Sequence, residues 1–250
     1  MGAVARRQRG AAVNVAQFDL RAELDPAALS RRRKAPVRPR FRSLAEVDRI
    51  VIHQWGTLVG VGPEASKRIA AGSSTLAREL ARRCGQVPYH FGAGVAEEGD
   101  ELVAFAVRVW APGLYTWSSN DLNRRCVAVG IQGRFPRFAR DWKRGRHTPR
   151  EHLAAVGDAG LVALTQAAEA IRVPGGEPPL VLTHSQISGP PPAIKDRSSD
   201  PGESVIELVV APLARWGLVR VEPDHAQDGG QPWPSEWRRH LDAPVDQVGA

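Results

Sequence analysis

The chain has 250 residues, of which 42% are hydrophobic, and its mean hydropathy is −0.30. These values are typical of a globular protein that dissolves in water and buries a substantial core. No stretch approaches the roughly 18 uninterrupted apolar residues of a membrane span, which excludes a transmembrane helix. Two cysteines are too few for a disulfide-stabilised scaffold.

The net charge of +7 comes from the amino-terminal part of the chain. Residues 1–50 contain 12 basic and 5 acidic side chains, whereas the other 200 residues contain 22 of each. The run Arg31–Lys34 is able to attract nucleic acid, but such runs are more often solvated tails. We therefore expect no nucleic-acid partner and predict a basic, flexible arm over 1–46. Asn14 and Gln17 interrupt its short apolar stretch, so we expect no classical signal peptide.

Strands and helices alternate after this arm. A β-branched run predicts a buried strand over 48–53, and apolar residues in helical spacing predict a helix over 64–84. Further strands are predicted at 88–95, 101–109 and 126–132.

The clearest helix start lies at Thr148. Pro149 and Glu151 complete a capping box with Thr148 as the N-cap, and the apolar face that follows extends to about Ile171. A short buried strand is then predicted over 180–184.

A last apolar segment over 203–217 completes the predicted core. Strands that alternate with helices predict a three-layer α/β fold with a central mixed β-sheet flanked by helices. We place this domain at 47–220 and predict a polar, proline-rich and loosely attached tail over 221–250.

Two histidines close short hydrophobic strands in this scheme. His53 and His184 are the last residues of these predicted strands, and Asp200 follows His184 by 16 residues, at the start of an Asp-Pro-Gly turn. Two imidazoles and a carboxylate leave the fourth position of a zinc ion open for water, which is the arrangement of catalytic sites. From spacing alone, a zinc site and ordinary packing in the core are about equally supported.

These residues belong to an ordered set of motifs that resembles the zinc-dependent N-acetylmuramoyl-L-alanine amidases. This is the amidase-2 and peptidoglycan-recognition-protein family, which includes phage-lysozyme-like amidases. The resemblance covers about 47–215, and the order of the motifs is more specific than any single one. In chain order the motifs are Arg49–His53, Val87–Phe91, Asn123–Ile131, His147–Pro149, Thr183–Ile187 and Asp200–Gly202.

The resemblance implies that His53, His184 and Asp200 hold zinc and that the protein hydrolyses the amide between N-acetylmuramic acid and L-alanine in peptidoglycan. It also implies that Tyr89 stabilises the developing oxyanion, while His90 packs in the core. The implied partner is a peptidoglycan or muropeptide substrate, and we expect a monomer. Localisation stays open between an endolysin-like release to the cell wall and a cytoplasmic recycling role.

Two positions depart from the family pattern. Gly130 stands where members with a glutamate general acid/base carry that carboxylate, and Ser198 stands where other members carry lysine. Lys195 is the nearest lysine, and Asp196 is the reserve candidate for the third ligand. The alternative function is therefore a non-catalytic peptidoglycan-binding module of the same fold. Such modules usually lack the third ligand, which is here Asp200.

Three tryptophans near the predicted site, Trp55, Trp110 and Trp117, offer faces on which a sugar ring or a stem peptide could stack. Packing in the core or at the rim is an equally supported interpretation for Trp110 and Trp117. Cys84 and Cys126 are expected to lie in the core, and a bridge between them stays open.

Overall fold

The computed structural model describes residues 14–22, 24, 40–55, 89–98, 101–116, 120–144, 147–187, 200–227 and 229–243. The helix predicted over 64–84 and the basic run Arg31–Lys34 lie outside these residues. Within the described ranges, the helices are too short or too polar to cross a lipid bilayer.

A seven-stranded mixed sheet forms the centre of the fold. The strand order is β1-β4-β3-β5-β2-β6-β7; β3 and β4 pair antiparallel, and all other neighbours pair parallel. The sheet confirms the predicted α/β fold. The strands are β1 Val15–Asp19, β2 Arg49–Trp55, β3 Phe91–Glu98, β4 Glu101–Arg108, β5 Cys126–Gln132, β6 Leu180–Thr183 and β7 Arg220–Val221.

Helices and 3₁₀ turns pack on both faces of this sheet. The helices are α1 Leu153–Ile171, α2 His184–Ile187, α3 Glu203–Val205, α4 Ala211–Arg215 and α5 Ser235–Asp242, with a π-helical turn Ile206–Val210 between α3 and α4. The 3₁₀ turns are Leu44–Glu46, Asn120–Arg124, Ala139–Arg144 and Arg150–His152. Helix α1 and the α3–α4 run cover one face, while Leu122 and Ile187 pack in a cluster on the other. The fold therefore has three layers.

Strand β2 is buried on both faces, which explains its continuous apolar run. Ile50 and Ile52 pack in the large core beneath α1, while Val51 and Trp55 belong to clusters on the opposite face. Because side chains alternate along a strand, His53 lies on the same face as Val51 and Trp55.

Helix α1 begins later than the capping box predicts. The 3₁₀ turn Arg150–His152 precedes the helix. Pro149 is the N-cap residue of this turn, and no side-chain hydrogen bond caps either the turn or the helix. The Thr148 hydroxyl instead accepts a hydrogen bond from the Arg134 N–H at 2.9 Å, so it is occupied by the loop after β5. The predicted end at Ile171 is confirmed.

The expectation of a flexible arm is wrong for residues 15–19, which form the edge strand β1. Phe18 packs against the cluster that contains the buried Leu20, and the Gln166 side chain donates to Gln17 Oε1 at 2.8 Å. Alternating apolar residues in this segment therefore join it to the sheet despite its basic surroundings.

The expectation of a loosely attached tail is wrong for residues 229–242. Trp233 and Trp237 are 2% and 1% exposed, and both belong to the main core. The Trp237 indole N–H donates to the carbonyl oxygen of Arg137 at 2.8 Å. Two large aromatic side chains thus fasten α5 to the domain, although the segment around them is polar.

Candidate metal centre

Parallel pairing places two histidines at one edge of the sheet. His53 of β2 lies in register with Gly130 of β5. The preceding residue, Ile52, pairs with Thr183, where β6 ends. His184 follows directly and begins α2, so the predicted strand over 180–184 is one residue shorter in the structure. The centroids of the two imidazoles are 4.5 Å apart, with the rings edge-on.

The turn before α3 brings Asp200 to these histidines. Its carbonyl oxygen accepts a hydrogen bond from the Ser185 N–H at 2.9 Å, and its Oδ1 accepts one from the Gln54 N–H. Its Oδ2 lies 2.7 Å from His184 Nδ1. Gln54 follows His53 and Ser185 follows His184, so the backbone next to each histidine fixes the position of the aspartate.

His53, His184 and Asp200 thus form one cluster of donor atoms. One nitrogen or oxygen of each side chain lies within 4.8 Å of the others, and both imidazoles are almost fully buried. In the part of the chain that the structure describes, this is the one group of three such side chains that could hold a metal ion. Two imidazoles and one carboxylate suit zinc and leave a coordination position open. The donor set therefore fits a catalytic zinc ion.

Tyr89 lies against the first of these histidines. Its ring centroid is 5.1 Å from that of His53 and 5.4 Å from that of Trp55. The ring also crosses Gly130, where an added Cβ would lie 2.6 Å from Tyr89 Cδ2. A side chain at position 130 and the present position of Tyr89 therefore exclude each other. This is a physical reason for a glycine at position 130.

His90 packs in the core, as the sequence predicts. Its Nδ1 accepts a hydrogen bond from the Ala128 N–H at 3.0 Å, so the proton lies on Nε2 and is donated to the carbonyl oxygen of Leu114 at 2.8 Å. Complete burial lowers the pKa of His90 to about 3, and the Arg42 guanidinium acts in the same direction. His90 is therefore a neutral structural residue.

Trp55 and Trp110 pack in the interior and offer no open stacking face. They are 6% and 2% exposed and belong to the same hydrophobic cluster. The Trp55 ring lies over Gly92, where an added Cβ would be 2.5 Å from its Cζ3. Packing is thus confirmed for Trp110, and the burial of both side chains contradicts their expected stacking on a substrate.

Several residues for which the sequence suggests a role in the site or a place in the core lie outside the described ranges. They are Cys84, Trp117, Lys195, Asp196 and Ser198. Cys126 is described, and it is buried as predicted.

Sequence reasoning missed three polar residues around the cluster. Gln54 donates its backbone N–H to Asp200, while Gln186 in α2 and Glu203 at the start of α3 are almost fully buried. Most of their partners are remote in sequence, so no local pattern marks these residues. An acid after Asp-Pro-Gly is typical of a solvated first helical turn.

Comparisons with known proteins found similar solved structures. The endolysin of Thermus scotoductus MAT2119 bacteriophage Ph2119 is 16% identical, with a TM-score of 0.35, over 74% of this chain and 91% of that one. Wild-type Drosophila PGRP-LB is 11% identical, with a TM-score of 0.39, over 82% of this chain and 96% of that one. A point mutant of Drosophila PGRP-LB in complex with tracheal cytotoxin is also 11% identical, with a TM-score of 0.36, over 72% and 87%.

No protein-family profile matches the chain, and no curated protein matches it by sequence. All three structures are distant from this chain in sequence.

Proposed function

We propose that this protein is a zinc-dependent N-acetylmuramoyl-L-alanine amidase, with zinc held by His53, His184 and Asp200. The observation that supports the proposal most directly is the convergence of these three side chains from three separate segments of the chain. The ordered motifs around them resemble those of this family of amidases. We infer the substrate from this resemblance. The proposed reaction cleaves the amide between N-acetylmuramic acid and the L-alanine of the stem peptide.

The chemistry that zinc supplies when bound is Lewis acidity, which polarises a carbonyl group and makes water nucleophilic near neutral pH. The protein prepares the site for it by orienting the donor atoms. The Gln54 N–H donates a hydrogen bond to Asp200 Oδ1, and this bond leaves Oδ2 facing His184. His53 is held by the pairing of β2 with β5, at the centre of the sheet. A site built on paired strands keeps its donors in place with little reorganisation.

We assign oxyanion stabilisation to Tyr89. Its ring packs against His53 and Trp55 of β2 and over Gly130 of β5. These two strands therefore determine its position. We expect its hydroxyl to donate a hydrogen bond to the carbonyl oxygen of the substrate. Negative charge grows on this oxygen as water adds to the carbonyl carbon. Because the ring fills the space above Gly130, position 130 has no room for a carboxylate side chain beside it.

Purified peptidoglycan tests the proposal. Incubation with the zinc-loaded protein is expected to release stem peptides with a new amino-terminal alanine, which amine labelling and mass spectrometry detect. A chelator is expected to abolish this release, and added zinc to restore it. Release of reducing sugar ends in place of amines would contradict the assignment, because it reports cleavage of the glycan.

The same experiment separates the amidase from the non-catalytic binding module. A binding module would sediment with peptidoglycan and release no amines at any zinc concentration. That result would replace the enzymatic proposal.

A further inference from the structure

The carboxy-terminal segment, residues 222–242, is bound to the helix that begins with His184. Gln186 in this helix is fully buried, and its Oε1 accepts hydrogen bonds from the Thr183 N–H and the Trp233 indole N–H, both at 2.9 Å. Its Nε2 donates to the carbonyl oxygen of Glu222 at 2.7 Å. The side-chain amide of Gln186 thus joins the end of β6 to two points of the carboxy-terminal segment, Glu222 and Trp233.

Backbone contacts extend this junction. The carbonyl oxygen of Ser185 accepts from the Gln231 N–H at 2.8 Å, and that of Gln186 accepts from the Gln227 N–H at 3.0 Å. Gly230 approaches so closely that an added Cβ would lie 2.0 Å from the carbonyl oxygen of Gln186. Ser185 and Gln186, the two residues that follow His184 directly, are therefore held by the carboxy-terminal segment.

Glu203 makes an equivalent junction on the side of Asp200. Its carboxylate is 2% exposed, and Oε2 accepts a hydrogen bond from the Ala139 N–H at 2.6 Å. Oε1 lies 2.7 Å from Arg239 Nη2 and 3.0 Å from His240 Nε2, both on α5. Burial alone would raise the pKa of Glu203, but these donors outweigh it and lower the pKa, so the carboxylate stays charged.

The turn that carries Asp200 is thus fixed at both ends. Ser185 binds its beginning, and Glu203 anchors its end to the loop after β5 and to α5. The close approach of Gly202 to the carbonyl oxygen of Pro136, 2.3 Å from an added Cβ, locks the turn against the same loop.

We propose that Glu203 is a positioning residue of the metal centre, and that the carboxy-terminal segment is part of this centre through Glu203 and Gln186. The inference rests on the proposed zinc site, and it adds a role for residues that touch no donor atom. Partners that orient metal ligands from outside typically change metal affinity by about 10- to 100-fold when they are replaced. The other explanation is that Glu203 stabilises the fold alone.

Zinc binding by two variants of the full chain distinguishes these explanations. Glu203→Gln keeps the size of the side chain and removes its charge. Glu236→Gln is the matched control, because Glu236 also joins α5 to the 139–144 turn, through a surface ion pair with Arg140 at 3.1 Å. Zinc affinity is measured by competition with a chromophoric chelator, and the rise in Tm on adding zinc is measured for each variant.

We expect Glu203→Gln to bind zinc about 10- to 100-fold more weakly than the wild type and Glu236→Gln to bind it equally well. We also expect a smaller zinc-induced rise in Tm for Glu203→Gln, because this rise depends on the affinity of the folded state. A role in folding alone would lower Tm with and without zinc and leave the rise unchanged. Equal zinc affinities in the wild type and Glu203→Gln would overturn the inference.

If Glu203→Gln does not fold, Arg239→Gln decides, since its side chain is 63% exposed and its loss removes only one partner of the carboxylate. We expect several-fold weaker zinc binding, and unchanged binding would overturn the inference. Wild-type protein that binds no zinc would end the proposed function together with this inference. Zinc binding that is normal in the wild type and in the variant that decides, Glu203→Gln or otherwise Arg239→Gln, would end the inference alone.

Discussion

His53 and His90 are both buried histidines, at most 1% exposed, yet their surroundings differ completely. Around His90, backbone groups occupy both ring nitrogens, and the Arg42 guanidinium lies 3.4 Å from Nε2. Around His53 there are a second imidazole, a tyrosine ring and the carboxylate of Asp200. The first environment disfavours any additional cation, and the second gathers donors that favour one. Burial alone therefore does not identify a metal ligand, whereas the neighbours of the ring do.

Replacing a donor beside His53 gives the largest expected effect. His184→Ala removes the second imidazole, so we expect zinc affinity to fall by more than the roughly 100-fold that loss of an outer partner costs. Amidase activity is expected to fall with it. Zinc content by elemental analysis and amine release on peptidoglycan measure both effects. His152→Ala, at the start of the main helix, is the control that should retain zinc and activity.

Tyr89→Phe changes the chemistry beside His53 and leaves the donors intact. We expect kcat to fall by about 10²- to 10³-fold, which is typical for the loss of one oxyanion donor. Zinc content should stay at the wild-type level. A variant with normal kcat would show that the hydroxyl plays no part in the reaction.

Gly130→Ala tests the space that Tyr89 occupies. The added methyl group would lie 2.6 Å from Tyr89 Cδ2, so we expect displacement of the ring and a loss of about 1–3 kcal/mol in the free energy of unfolding, as in other overpacked sites. In a Tyr89→Ala background the same change should cost much less. A double-mutant cycle by chemical denaturation measures this coupling, and additive effects would contradict it.

The environment of His90 predicts a pH dependence of stability. Its pKa in the folded protein is about 3, below the ordinary value of 6.5, so the unfolded chain takes up the proton first as the pH falls. The contribution is complete above about pH 6.5 and is lost towards pH 3, at up to about 1.4 kcal/mol per pH unit. Denaturation of the metal-free protein at pH 7, 5 and 4 should show a shallower slope for His90→Gln than for the wild type. Identical slopes would contradict the assignment.

The sequence predicts the parts of the site that depend on local pattern. A β-branched run that ends in histidine indicates a buried strand, and alternation with helices indicates an α/β fold with a mixed sheet. The choice of Asp200 as the third ligand depends on the resemblance, whose pattern the Asp-Pro-Gly sequence matches. The approximate positions of β2 to β6 and the end of α1 also follow from local pattern.

Other features depend on contacts between remote segments, and the sequence does not reveal them. Val15–Asp19 joins the sheet although basic residues dominate its surroundings. Trp237 is buried in the core although Leu241 is the one other apolar residue of its helix. Glu203 is buried only because Ala139 and Arg239 approach it from other segments. Composition describes the average surroundings of a residue. The burial of these residues depends instead on individual contacts with residues that are distant in sequence.

The strand order has a consequence for how the chain acquires its site. β3 and β4 follow each other directly and form a hairpin, but Ile52 pairs with Thr183 from the other half of the sequence. Closing the longer loop costs more chain entropy, so we expect the hairpin to form early and the β2–β6 contact late. Until that contact forms, His53 has no second imidazole beside it. Acquisition of the ion would therefore mark the end of folding, and a nascent or partly folded chain would compete poorly for scarce metal.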